Sequence, residues 1–173
     1  MPFPRQPTLT AGHLRVRPLT AADRPALRAA ASDPLIWAQH NDPGRYGPTV
    51  DRYFDDNLAS GGGLVIEDLN WGEVIGHTRY QLLPDADDVV EVGWTFLTRA
   101  YWGTGANLTV KRLLVAHAAA HRRRVVLHIQ RDNTRSRKAA EQLGGVLLTA
   151  GQHDNWQSKI ADFTSYALPE VIT

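Results

Sequence analysis

Gly103 and Gly105 stand two residues apart in the run Trp102-Gly-Thr-Gly-Ala-Asn107. The stretch before them reads as a strand and the stretch after them as a helix. Glycines at such a junction let the backbone turn sharply and bring its amides close to a ligand. The first turn of the helix beyond adds unpaired N–H groups and the positive end of its dipole. Residue types and spacing together predict a seat for a phosphorylated ligand. A dinucleotide fingerprint needs a third glycine where Leu108 stands, and a Walker-type loop is absent from the chain. The phosphate chemistry therefore belongs to some other class of ligand.

Other reactive groups are few. The chain has no cysteine, so thiolate catalysis, disulfides and cysteine-based metal sites are excluded. His117 and His121 have the spacing of a shared metal, but no Glu follows the first and no third ligand is evident. His117 is read instead as part of an apolar helix face. No Gly-x-Ser-x-Gly elbow supports Ser-His-Asp hydrolysis. Asn133 and Ser136 open a second helix, where Asn133 has the makings of a cap. Ser136 shares a face with Ala139, Ala140 and Leu143 and is expected to point inward.

The strand, the aromatic-Trp-Gly-x-Gly-Ala turn and the amphipathic helix resemble the pyrophosphate-binding motif of GNAT acyl-CoA N-acyltransferases. A second block, Val125 to Val146 with Asn133, Ser136, Leu143 and Gly144, is similar to that family's next strand and helix. The opening His13 to Asp23 is similar to its first strand and helix start. The branch most resembled is that of ribosomal-protein N-terminal acetyltransferases, and the likeness covers roughly residues 12 to 168. It departs at Ala100, where the family pattern carries Gln or Arg, and after the loop, where Asn107 to Val110 has no acid.

The resemblance implies an α/β fold: a mixed, mostly antiparallel twisted sheet of about seven strands with flanking helices. A splayed central pair, Val89–Thr98 and Val125–Gln130, would hold acetyl-CoA. Backbone N–H groups of Phe96, Leu97 and Thr98 would grip pantetheine and polarise the thioester carbonyl. Trp102, Gly103, Thr104, Gly105, Ala106 and Asn107 would supply amides to the pyrophosphate. Asn133 and Ser136 would contact pantetheine, Ser136 also as proton donor to the thiolate, and Arg137 would reach a phosphate. Glu91 is the candidate base, acting through water on a neutral amine; its other reading is a solvated strand-edge acid. The acceptor is a primary amine, either a protein N-terminus or a small molecule. Two alternatives stay open: another donor such as succinyl-CoA, and a CoA-binding module without turnover. Relatives are commonly homodimers.

At 173 residues, with 43% hydrophobic and 21% charged content, the chain is expected to form one domain spanning residues 1–173. Met1 to Pro7 lacks an apolar signal core and no run reaches membrane-spanning length, which suits a cytoplasmic protein without a membrane partner. Residues 51–91 hold ten acids and two bases; residues 111–138 hold nine bases and one acid. The basic segment suits a polyanionic cofactor, and the acidic one either draws a cationic acceptor or forms solvated faces. Arg122 to Arg124 follow a helix end, where cations offset the dipole, so no nucleic-acid partner is read from them.

The elements that must position these groups follow from periodicity. Strands are expected at 14–19, 64–67, 73–83, 89–97, 146–150 and 160–168. Helices are expected from Thr20 or Asp23 to about Ser32, briefly around Ile36 and Trp37, from Thr49 to Ala59, and from Ala106 to His121. Within 89–97, Val92, Trp94 and Phe96 are expected on one face. Strands interleaved with helices point to a mixed sheet with one cofactor cleft. The segments Ile36–Tyr46 and Asp154–Lys159 are expected beside the acceptor, with no decodable pattern.

Overall fold

Two faces of one sheet must be covered, because strand β3 (Gly63–Asp68) is buried at every position. The computed structural model of the chain describes residues 2–84 and 86–172. The other strands are β1 (Leu9–Ala11), β2 (Leu14–Pro18), β4 (Glu73–Leu82), β5 (Val89–Leu97), β6 (Arg124–Gln130), β7 (Val146–Leu147) and β8 (Phe163–Ala167). Their order is β1-β2-β3-β4-β5-β6-β8-β7, eight strands in one sheet. The strand beyond the expected seven is β1, turned onto β2 through Gly12 at φ +57°. Every pairing is antiparallel except that of β5 with β6.

Helix α4 (Ala106–Ala120) covers one face with α5 (Thr134–Gln142). Val110, Leu114 and Ala118 of α4 pack there on Leu64, Val90, Val92, Leu127 and Ile129. Helices α1 (Arg24–Ala30), α2 (Pro34–Trp37) and α3 (Val50–Ala59) cover the other face. Leu27, Trp37, Tyr53 and Phe54 form that core with Val65 and Phe96. Burying a side chain of this size contributes about 1.5–3 kcal/mol, so apolar periodicity decides both layers. Among the described residues, no helix is long and apolar enough to cross a membrane.

Strand β5 breaks the alternation expected of it. Val90 and Val92 face α4, but Phe96 packs with Trp37 and Tyr53 on the opposite face, and Leu97 joins the α4 side. The cause is a bulge: the β4 register shifts between His77 and Arg79, opposite Trp94, whose φ is +52°. One extra residue re-aims everything after it. The closing strands are also shorter than their apolar runs, two residues at β7 and five at β8.

Candidate active site

Strands β5 and β6 pair only at Val89–Arg124, Val90–Val125 and Glu91–Val126. Beyond Glu91 they diverge and open a cleft of about 1010 Å³, bounded by the β5 edge, the start of α4, β6 and α5. Such a volume accepts a cofactor-sized ligand.

Glu91 sits at the last pair before the opening and is 9% exposed, not the solvated edge acid of its alternative reading. Val126 faces it in register, and His128, two residues on, lies on the same face of β6. His128 Nδ1 is 3.2 Å from Glu91 Oε2, and its Nε2 is 2.8 Å from the Trp156 carbonyl. With acceptors at both nitrogens, the ring suits the imidazolium form. Burial alone would lower its pKa, but the hydrogen bond and charge of Glu91, with the Trp156 carbonyl, raise it. Gly93 leaves room for this carboxylate, since a Cβ there would lie 3.1 Å from Glu91 Oε1.

The bulge governs the next stretch of wall. The Tyr53 hydroxyl donates to the Trp94 carbonyl at 2.5 Å, and His77 Nδ1 lies 2.9 Å from that hydroxyl and 3.1 Å from that carbonyl. His77 is fully buried, which pushes its pKa down to about 4 and keeps it neutral. The Thr98 amide donates to Ile75 of β4 at 2.8 Å, so it is not free to hold pantetheine. Alternation then places the Leu97 amide on the opposite, cleft-side edge. There the Leu97 carbonyl accepts from Trp102 Nε1 at 3.0 Å.

Gly103 and Gly105 both adopt positive φ, +73° and +86°, and Gly105 caps α4. No acid lies in the first turn of that helix, so the dipole is not cancelled locally. Trp102, Gly103, Gly105 and Asn107 line the cleft, with Phe96 and Leu97. Thr104 folds back, its hydroxyl donating to the Tyr101 carbonyl at 2.9 Å, and Ala106 is buried in the core. Neither side chain reaches the cleft.

At α5, Asn133 Oδ1 accepts from the Ser136 amide at 3.0 Å, so Asn133 caps the helix while both residues line the cleft. Arg137 points elsewhere: Nε donates to the Tyr166 hydroxyl at 3.1 Å and a terminal nitrogen to the Arg131 carbonyl at 3.2 Å. Arg137, expected beside a phosphate, does not line the cleft. Arg135, two residues earlier and therefore on another helix face, stacks 4.1 Å over the Trp102 ring. It also donates to the Ile36 carbonyl at 2.6 Å, tying α2 across the cleft mouth. Lys138 lines the same wall.

Ile36, His40, Asn41 and Arg45 form the far wall, with Ser158 and Ile160. Burial, then the charges of Arg45 and Arg135, push the His40 pKa down to about 4. Among the described residues, Glu91 is the only acid lining the cleft. Three other acids of the acidic segment are paired outside the cleft: Asp51 with Arg24 and Arg28, Glu67 with Arg15 and Arg17, and Asp88 with Arg124. His117 packs on Phe3 and Tyr80, and no metal cluster occurs among the described residues.

The sequence reading gave His128 no role, and placed Lys111 and Arg135 only in a basic segment and His40 only in a segment expected beside the acceptor. His128 had a signal, since strand alternation puts it on the face of Val126. The others depend on how α2, α4 and α5 meet the sheet, which periodicity does not specify.

Residues 13–146 match the model of the acetyltransferase (GNAT) domain. A GCN5-related N-acetyltransferase from Brucella melitensis superposes with TM-score 0.77 at 18% identity, covering 98% of this chain and 81% of that one. A putative acetyltransferase from T. thermophilus gives 0.69 at 24% identity, covering 94% and 89%. A putative acetyltransferase from Salmonella typhimurium, solved with its cofactor acetyl-CoA, gives 0.60 at 20% identity, covering 92% and 95%. No curated protein sequence matches the chain. With a cleft between splayed strands, a glycine-bearing helix start and a match across most of its length, the chain belongs to the GNAT acetyltransferases, enzymes that transfer an acyl group from acetyl-CoA.

Proposed function

We propose that the protein moves the acetyl group of acetyl-CoA onto a primary amine, with Glu91 as the base. The acceptor is a protein N-terminus or a small-molecule amine, following the N-terminal acetyltransferase branch that the sequence resembles. The reading rests on one observation: a buried carboxylate, fixed by His128, at the point where β5 and β6 part.

Acetyl-CoA supplies the activated acyl group. The chain's own residues do the rest. Amides of Gly103, Thr104, Gly105 and Asn107, with the α4 dipole, hold the diphosphate, while the Ala106 amide donates to Thr104 Oγ1 at 3.4 Å. The Leu97 amide, on the cleft edge of β5, meets the thioester end. Asn133 and Ser136 line the cleft wall that would face pantetheine. His128 Nδ1, 3.2 Å away, orients the Glu91 carboxylate, which can take a proton from the incoming amine, directly or through one water. A peptide N-terminus, with a pKa of about 7.7–8.0, needs little help to be neutral. Direct attack requires no covalent enzyme intermediate, in keeping with a chain that has no cysteine.

The test is thiol release from acetyl-CoA and from succinyl-CoA, measured against a panel of peptides with free N-termini and small primary amines. Release with acetyl-CoA and at least one amine supports the reading. Preference for succinyl-CoA reassigns the donor. Tight CoA binding without release to any amine would make the protein a CoA-binding module.

A further inference from the structure

Lys111 lies about one and a half turns into α4 and sends its side chain toward the sheet. It is 5% exposed, among Val110, Leu114 and Val115 on the buried side of the helix. Its Nζ donates to Thr95 Oγ1 at 2.9 Å, and that hydroxyl meets Thr78 Oγ1 at 2.9 Å. Among the described residues no carboxylate pairs with it, and burial alone lowers its pKa to about 7. An ammonium carries three donors, and one threonine hydroxyl satisfies only part of that demand. A desolvated cation without a counter-ion is costly, and Leu or Met at this position would extend the core at no such cost.

The missing anion has an obvious route in, because Lys111 lines the cleft. Its position along β5 says which part of the ligand it meets. The phosphate end has the α4 N-terminus, Arg135 and Lys138. Lys111 is held instead at Thr95, beside the bulge, between Glu91 and the Leu97 amide.

We propose that Lys111 is a catalytic residue whose ammonium stands against the negative charge of the thioester group, on the carbonyl oxygen first and on the departing sulfur after. The proposal rests on the acetyl transfer proposed above. As the amine nitrogen bonds to the carbonyl carbon, the carbonyl pair moves onto oxygen. It returns as the carbon–sulfur bond breaks, and that bond's electrons leave with sulfur. The amine proton goes to Glu91. The thiolate takes a proton from Lys111, and solvent returns the proton from Glu91 to Lys111, so the turnover is proton-neutral apart from the amine's own ionisation.

The experiment compares the binding of CoA and of desulfo-CoA, which lacks the sulfur, to wild type and Lys111→Met by calorimetry. Wild type is expected to prefer CoA by about tenfold at a pH between the Lys111 pKa of about 7 and the thiol pKa of about 8.5, where ammonium and thiolate pair best. Lys111→Met should bind both with the wild-type affinity for desulfo-CoA. Its melting midpoint should rise, since an unpaired buried amine is gone. With an active amine, kcat should fall about a hundredfold while KM for acetyl-CoA stays within about threefold. Equal weakening of both ligands would assign Lys111 to the phosphates and overturn the proposal. So would an unchanged preference for CoA, or a variant that melts lower or fails to fold. Absence of turnover with every amine would remove the transfer reading, while the comparison of the two ligands still decides where the ammonium points.

Discussion

The Tyr53 hydroxyl donates to the Trp94 carbonyl at 2.5 Å, tying helix α3 to the one position where strand β5 leaves its alternation. His77 braces the same carbonyl from β4 at 3.1 Å. The bulge is thereby fixed from outside the strand, and a non-glycine residue can hold φ +52° there. Such conformations cost about 1–3 kcal/mol and persist only where neighbours over-determine them. Tyr53→Phe removes the main tie. It should destabilise the protein by about 1–3 kcal/mol in urea titrations, as expected for a buried acceptor left short of a partner. It should also raise KM for acetyl-CoA, because the wall beyond Trp94 is no longer held in place.

Glu91→Gln keeps the shape of the side chain and removes its capacity to take a proton. We expect kcat to fall by about a hundredfold or more, with CoA affinity by calorimetry unchanged. A variant with near-normal turnover would leave the amine's own ionisation as the source of the neutral nucleophile.

His128 gives a pH signature. Its folded pKa is raised above the unfolded value of 6.5 by Glu91 and the Trp156 carbonyl, against the pull of burial. Its contribution is therefore complete below about pH 6.5 and lost as pH rises through the folded pKa. The stability gap between wild type and His128→Asn should be wider near pH 6 than near pH 9 in denaturant titrations. His40 and His77, both lowered to about 4, act in the opposite sense between pH 6.5 and 4 and cancel in the difference.

Gly105→Val should separate strain from ligand contact. At φ +86° a branched side chain costs about 1–3 kcal/mol, and a Cβ there meets nothing within 4 Å. Gly72→Val, in the β3–β4 hairpin at φ +67° with similar free space, carries the same strain away from the cleft. Both should lower the melting temperature, but only Gly105→Val should weaken CoA binding, by about tenfold or more. Equal CoA affinity in the two variants would displace the diphosphate from this turn.

Much of the site was legible because it is local. Gly103 and Gly105 sit where a strand gives way to a helix, and the helix dipole follows from backbone geometry alone. Asn133 three residues before Ser136 likewise predicts a cap, and Asn133 Oδ1 accepts from the Ser136 amide. Strand β5 runs from Val89 to Leu97, the bounds its alternation gives. The face assignment inside it was not legible. Val92, Trp94 and Phe96 alternate in sequence, yet the bulge sends Phe96 to the opposite core from Val92. That bulge depends on Tyr53, forty-one residues earlier in the chain.

Helix and strand periodicity, the glycine turn and the lack of cysteine were determined by the amino-acid order itself, since each depends on neighbours a few positions apart. Tertiary structure alone decided that Glu91 meets His128, that Arg135 rather than Arg137 faces the cleft, and that the Thr98 amide is spent on β4. It alone put Lys111 in the interior, with no counter-ion among the described residues. Those outcomes depend on which faces of β4, β5, β6, α4 and α5 are pressed together. Burial energy sets that choice over the whole molecule, and no short window of sequence contains it.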